Sequence, residues 1–176
     1  MIAAYFSLFG FAIAVALIVR GERRHRAMRQ GLGGYDCLQP GMIGRFVLSV
    51  MCIVTATMAG FLLAGGWGQD GAFIRNLGAL ITALACAIWA HDFHDQLYER
   101  VVAWSMDAIV LRDAGGEARV DMSDLVAIRA PALSTSVTLS FSGDRELEFE
   151  RYLANSGDLL SLANRRHPEP SLRGEG

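Results

Sequence analysis

The chain has 176 residues, of which 52% are hydrophobic and only 19% charged, and its mean hydropathy is +0.31. These values exclude intrinsic disorder for most of the chain, and they show that the chain is too apolar for an ordinary soluble domain. Its three cysteines are widely spaced and odd in number, which disfavours a disulfide scaffold. The net charge of −2 hides a polarised distribution, because residues 1–45 carry six arginines against two acids and residues 91–176 carry nine against fifteen.

Three long apolar runs, at about residues 2–19, 46–67 and 73–91, account for this composition. The first two contain no charged residue, and the third contains only Arg75, close to its start. A bilayer core of about 30 Å requires about 20 helical residues, so each run predicts a transmembrane helix. No positive segment precedes the first run, so we expect an uncleaved anchor and not a signal peptide. Residues 1–92 are therefore predicted to form a transmembrane region.

The arginines predict how this region is oriented. They cluster in the interval 20–45, predicted as a basic loop, whereas the opposite loop, 68–72, carries one acid and no base. Positive loops stay in the cytoplasm. We therefore expect a multi-pass protein of the inner (cytoplasmic) membrane with its N-terminus outside and residues 91–176 in the cytoplasm. The same cluster predicts contacts with anionic lipid headgroups. The residues of that prediction are Arg20, Arg23, Arg24, Arg26 and Arg29.

Small residues recur at helical spacing along the second and third runs. They are Ala56, Gly60, Ala64, Ala79, Ala83 and Ala87. Such stripes let helix backbones approach closely in lipid, where apolar surface gives helices no drive to associate. Two interpretations stay open, a docking face for another membrane protein and packing among these three helices. No charged residue lies in the middle of a run, so an ion pathway is not indicated.

Beyond residue 100 the helical period gives way to short strands. They are predicted at 101–105, 109–112, 118–121, 126–129, 137–141 and 146–150. Strict alternation on both sides of the Ser-Gly-Asp at 142–144 indicates a hairpin. Ser156 is a predicted cap of a last helix, and residues 167–176 are a predicted flexible tail. The sequence thus predicts a small antiparallel β-domain with a C-terminal helix over 100–166.

The order of these elements resembles the bacterial PH-like domain found on membrane-spanning proteins. The resemblance rests on the first hairpin at 104–111, a glycine turn, the connector at 120–125, the hairpin at 141–145 and the final helix. The connector lacks the aromatic residue that such domains often have there, and the segment is short for a seven-stranded member. Several members of that family are assembly or accessory factors, so the resemblance implies a scaffold role.

One polar cluster, the His-Asp-Phe-His-Asp at 91–95, follows the third run directly. On a helix His91, His94 and Asp95 share one face, which is a spacing for Zn²⁺ or Fe²⁺ ligands. The alternative interpretation is a polar turn at the membrane exit. Glu99 lies two turns beyond His91, so the sequence supplies no convincing fourth ligand.

The sequence contains no arrangement of nucleophile and base typical of an enzyme and predicts neither catalysis nor a cofactor. Nucleic-acid binding is disfavoured because the basic run is short and the large C-terminal part is acidic. We expect a non-catalytic membrane accessory or assembly protein that binds another integral membrane protein or complex. The alternative is a metal-binding or sensory membrane protein that uses His91, His94 and Asp95.

Overall fold

The structure, a computed structural model, describes residues 2–64, 72–131 and 134–166. By their contacts these residues form two compact units. The helical unit comprises Met1–His25 and Met42–Glu99, and the β unit comprises Arg26–Gly41 and Arg100–Gly176. Most of the predicted outer loop, the end of the second predicted span and the predicted tail lie outside the described residues.

Three helices make up the helical unit: α1 (Ile2–Arg29, whose last residues belong to the β unit), α2 (Met42–Ala64) and α3 (Ala72–Tyr98). All three are long and apolar enough to cross a membrane. Most of their surface is exposed apolar side chain, as lipid contact requires. The three predicted spans are therefore present as helices that fit a multi-pass membrane protein.

The helices are longer than the apolar runs that predicted them. α1 continues ten residues past its predicted end to Arg29, so part of the interval 20–45 is helix and not loop. α3 likewise continues through Tyr98. Hydropathy marks where a helix leaves lipid, whereas arginine and glutamate are good helix formers in water. The chain leaves α1 through Gly31, whose φ of +90° is readily available only to glycine.

Among the described residues the β unit contains seven antiparallel strands, one α-helix of its own and a short 3₁₀ helix (Met122–Asp124), besides the last residues of α1. The strands are β1 (Asp36–Cys37), β2 (Val101–Trp104), β3 (Ala108–Asp113), β4 (Gly116–Asp121), β5 (Leu125–Arg129), β6 (Ser136–Phe141) and β7 (Arg145–Glu150). The helix is α4 (Ser156–Arg166). Strands β1 to β4 form one sheet in that order, and β5 to β7 form a second. The six predicted strands and the C-terminal helix are all present.

The first strand was not predicted, because two residues are too few to show a periodic pattern. Asp36 pairs with Trp104 and Cys37 with Ala103, so β1 extends the first sheet from a segment far away in the sequence. Hydrogen bonds between the backbones of Gln39 and Ala154 continue this attachment. The predicted boundary of the β-domain at residue 100 therefore omits a segment, residues 26–41, that belongs to the β unit.

The core of the β unit lies between its two sheets and α4. Alternate residues of β6 and β7 face inward, and their register places Val137 opposite Phe149 and Leu139 opposite Leu147. The hairpin that joins them turns at Gly143 and Asp144, both with positive φ, as the sequence predicted. Ser156, predicted to cap α4, is its first residue, and its hydroxyl donates to the carbonyl of Arg151.

We expect Phe149→Asp to unfold the β unit, because Phe149 is 4% exposed and a carboxylate there has no partner to offset its burial. The loss is about 3 kcal/mol or more. Limited proteolysis of the full chain, with the fragments mapped by mass spectrometry, measures it as new cleavage within 100–166. Glu148→Gln, at the exposed neighbouring position of β7, is the control, and equal cleavage of both variants would contradict the assignment.

Candidate functional site

Helix α1 packs against α2 through two glycines. A Cβ placed on Gly10 would lie 2.8 Å from the Cβ of Ala56 and 2.8 Å from the carbonyl oxygen of Cys52. A Cβ on Gly60 would collide with the ring of Phe6. Between these contacts the hydroxyls of Ser7 and Thr57 are hydrogen-bonded at 3.0 Å. At Gly10 the two backbones therefore approach as closely as glycine permits, Gly60 makes room for the Phe6 ring, and a polar contact fixes the register.

An apolar groove lies beside this contact, with residues of all three helices in its walls. Its volume is about 340 Å³. α2 contributes Ala56 and Ala59, α3 contributes Ala87 and Ala90, and α1 contributes Phe9 with other bulky side chains. Because small side chains line two of its walls, a bulky side chain from outside has room to enter.

The structure separates the predicted small-residue positions into buried and exposed ones. Ala56, Gly60, Ala79 and Ala83 are buried within the helical unit, which agrees with the packing interpretation. Ala64 and Ala87 remain exposed. Only the exposed positions are available to a partner from outside. Gly60 is consequently unsuitable for testing partner binding, because a larger residue there meets Phe6 first.

Ion pairs join the three helices at the end where α3 finishes. Arg24 of α1 lies 2.6 Å from Glu99, directly after α3, and Arg45 of α2 lies 3.1 Å from Glu22 of α1. Arg24 and Arg45 are about half exposed, so solvent weakens each pair. These contacts occupy one of the five arginines predicted to bind lipid. Arg20, Arg23 and Arg26 are exposed, and Arg29 is half-buried.

The predicted metal cluster lies at the same end of the bundle. The Nδ1 atoms of His91 and His94 lie 3.6 Å and 3.5 Å from the same carboxylate oxygen of Asp95. The set of ligand atoms that lies within 4.8 Å of one another, however, is that of His94, Asp95 and Glu99. The structure therefore adds Glu99 to the predicted residues. His91 is the most exposed of the four, with 76% of its side chain accessible.

Glu99 is not among the predicted ligands, because its position two turns beyond His91 gives no ligand spacing to that residue. Its spacing of four residues from Asp95 could have identified it. Residues four apart share a face only if the helical turn continues to residue 99, and the structure shows that it does. The backbone N–H of Glu99 donates to the carbonyl of Asp95 at 2.9 Å, so Glu99 lies over Asp95 on the same face.

The β unit has a smaller apolar cleft of about 220 Å³ between β3, β4 and the β6–β7 hairpin. Leu111, Val120 and Leu147 line it, and Arg145 and Glu146 add charge. β4 pairs only with β3 in the described part of the chain, so its other edge is open, and five of its six residues are exposed. An open edge beside an apolar cleft has the features of a surface that an extended peptide can join.

No protein-family model matches this sequence, and no curated protein matches it.

We expect Gly60→Leu to destabilise the helical unit by about 1–3 kcal/mol, because the new side chain meets Phe6 within a packed contact. The measurement is the thermal midpoint of the detergent-purified chain, followed by size-exclusion chromatography after heating. Gly78→Leu is the matched control, since Gly78 lies in α3 with no atom within 4 Å of its added Cβ. An unchanged midpoint for Gly60→Leu would contradict the packing of α1 on α2.

Proposed function

We propose that this chain is a non-catalytic accessory or assembly protein of a membrane, and that it binds another integral membrane protein. The observation that carries the proposal is the apolar groove in the helical unit, into which a side chain of a partner's transmembrane helix fits. Ala87 is exposed at this groove, and Ala56 and Ala59 also line it. Lipid supplies no hydrophobic drive between helices, so a surface with small residues and open volume gains dispersion contacts when a helix covers it.

In this proposal the β unit makes a second contact with the partner, outside the membrane. We propose that it is a PH-like domain, a resemblance supported by four strands in one sheet, three in the other and a helix at the C-terminus. Its open β4 edge and the apolar cleft beside it are suited to an extended segment of the same partner. The charged residues that line the cleft, Arg145 and Glu146, have opposite signs, so the cleft lacks the positive charge typical of a phosphate site.

We also propose that the protein lies in the inner membrane with its N-terminus outside and the β unit in the cytoplasm. Arg20 and Arg23, two of the exposed arginines on α1, follow the apolar part of that helix and support this orientation. In this orientation they lie at the level of the anionic headgroups of the cytoplasmic leaflet.

A reporter inserted after Gly115, in the turn between β3 and β4, tests the orientation. We expect a fluorescent protein that folds only in the cytoplasm to be active there and alkaline phosphatase to be inactive, because positive flanks are retained on the cytoplasmic side. The same two reporters at the N-terminus should give the opposite result. Phosphatase activity after Gly115 would contradict the proposed topology.

We expect Ala87→Phe to abolish co-purification of the membrane partner, because the ring fills the groove that the partner's side chain needs. Affinity purification from native membranes, quantified by mass spectrometry, measures the loss. Ala85→Phe is the matched control, because Ala85 is exposed on the same helix but does not line the groove.

Both variants should insert and purify in equal yield, since neither position is buried. A membrane protein retained by Ala85→Phe and lost by Ala87→Phe supports the proposal and identifies the partner. Equal retention of every co-purifying protein by both variants would reject the groove as the binding site.

A further inference from the structure

We propose that the end of α3 binds a divalent transition-metal ion through His94, Asp95 and Glu99. This inference is independent of the proposed function and of any partner. It differs from the triad expected from the sequence, because it replaces the exposed His91 by Glu99, which the structure brings to the cluster.

The geometry of the three side chains supports a shared ion. Their ligand atoms lie within 4.8 Å of one another, and Nδ1 of His94 is 3.5 Å from Oδ1 of Asp95. A hydrogen bond of that length is weak. Two ligands of a tetrahedral site with bonds of about 2.1 Å are separated by about 3.4 Å, so the observed spacing suits two atoms that bind the same metal.

The imidazole of His94 is weakly bonded for a largely buried ring, since its one contact to a carboxylate in the described part of the chain is the 3.5 Å contact of Nδ1 with Asp95. Only 14% of its side chain is exposed, and its Nε2 is shielded from solvent with no hydrogen-bond partner in the described residues. Its ring packs at 5.2 Å from that of Tyr98. A metal ion on Nδ1 would replace the weak contact with Asp95 by one strong interaction, and Nε2 would stay without a partner among the described residues.

The backbone holds the three residues in place. Asp95 and Glu99 are joined by the hydrogen bond from the Glu99 N–H to the Asp95 carbonyl, and His94 belongs to the same helical turn as Asp95. Outside the helix, Arg24 holds Glu99 by one carboxylate oxygen, Oε2.

The donor set indicates the class of metal. One imidazole with two carboxylates suits first-row ions such as Zn²⁺, Fe²⁺ or Mn²⁺, with water in the remaining positions. Mg²⁺ prefers oxygen ligands in regular octahedral geometry and is expected to bind far more weakly. Two carboxylates against one guanidinium leave the cluster net negative, which favours a cation.

Zn²⁺ added to the full chain, purified in detergent with a tag that contains no histidine, tests the site. We expect one Zn²⁺ per chain by isothermal titration and by elemental analysis after dialysis. His94→Ala and Asp95→Asn should each weaken binding by more than about tenfold. His91→Ala is the matched control and should leave the affinity unchanged, because His91 is outside the set. Arg24→Gln should strengthen binding, because it removes the cation that competes for Glu99.

A second measurement needs no substitution, so the proposal remains testable if a variant fails to fold. Co²⁺ bound to nitrogen and oxygen ligands absorbs visible light, and Zn²⁺ should displace it with loss of that absorbance at a stoichiometry of one. The proposal is overturned if the unmodified chain binds neither ion. It is equally overturned if His91→Ala weakens Zn²⁺ binding as much as His94→Ala does.

Discussion

The contact of α1 with α2 at Gly10 and Gly60 is the constraint on which the rest of the helical unit depends. In lipid the helices gain nothing by hiding apolar surface, so they are held by close packing and a few polar contacts. Gly10 lets the backbones come together, Gly60 makes room for the ring of Phe6, and the Ser7–Thr57 hydrogen bond selects one register. Ala56 and Gly60 are buried in this contact. The groove lies beside them, and it is lined by larger side chains of α1 and by alanines of α2 and α3.

What the sequence predicted well were features set by composition over many residues. Three spans, six strands and the last helix each repeat one physical preference often enough to be recognised. β1 was not predicted, because it has only two residues and forms only when a strand distant in the sequence pairs with it. The ends of α1 and α3 were placed too early because hydropathy reports the solvent around a helix and not its hydrogen bonds. Patterns thus identify elements, but pairing and length depend on residues elsewhere in the chain.

The candidate site shows the same division at the level of single side chains. A periodic stripe of small residues predicts that helices meet, but which member meets its own chain depends on the rotation of each helix. Gly60 and Ala87 belong to one kind of pattern, yet Gly60 faces Phe6 and Ala87 remains exposed. The same holds for the polar cluster. His91 and His94 both have the helical spacing of metal ligands, but the ring of His91 is exposed, whereas that of His94 is nearly buried.

Glu99 takes part in both an ion pair between helices and the proposed metal site. Its carboxylate holds Arg24 and so joins the ends of α1 and α3, and it also belongs to the proposed metal set. An ion bound to the Glu99 carboxylate weakens the attraction between that carboxylate and the Arg24 guanidinium. By linkage, the Arg24–Glu99 pair weakens the binding of the ion to the same extent. The pair is partly exposed, so its own contribution is small, and an ion of charge +2 is a stronger competitor for the carboxylate. Metal binding would therefore loosen α1 from α3 at the end of the bundle where the chain leaves the membrane helices for the strands.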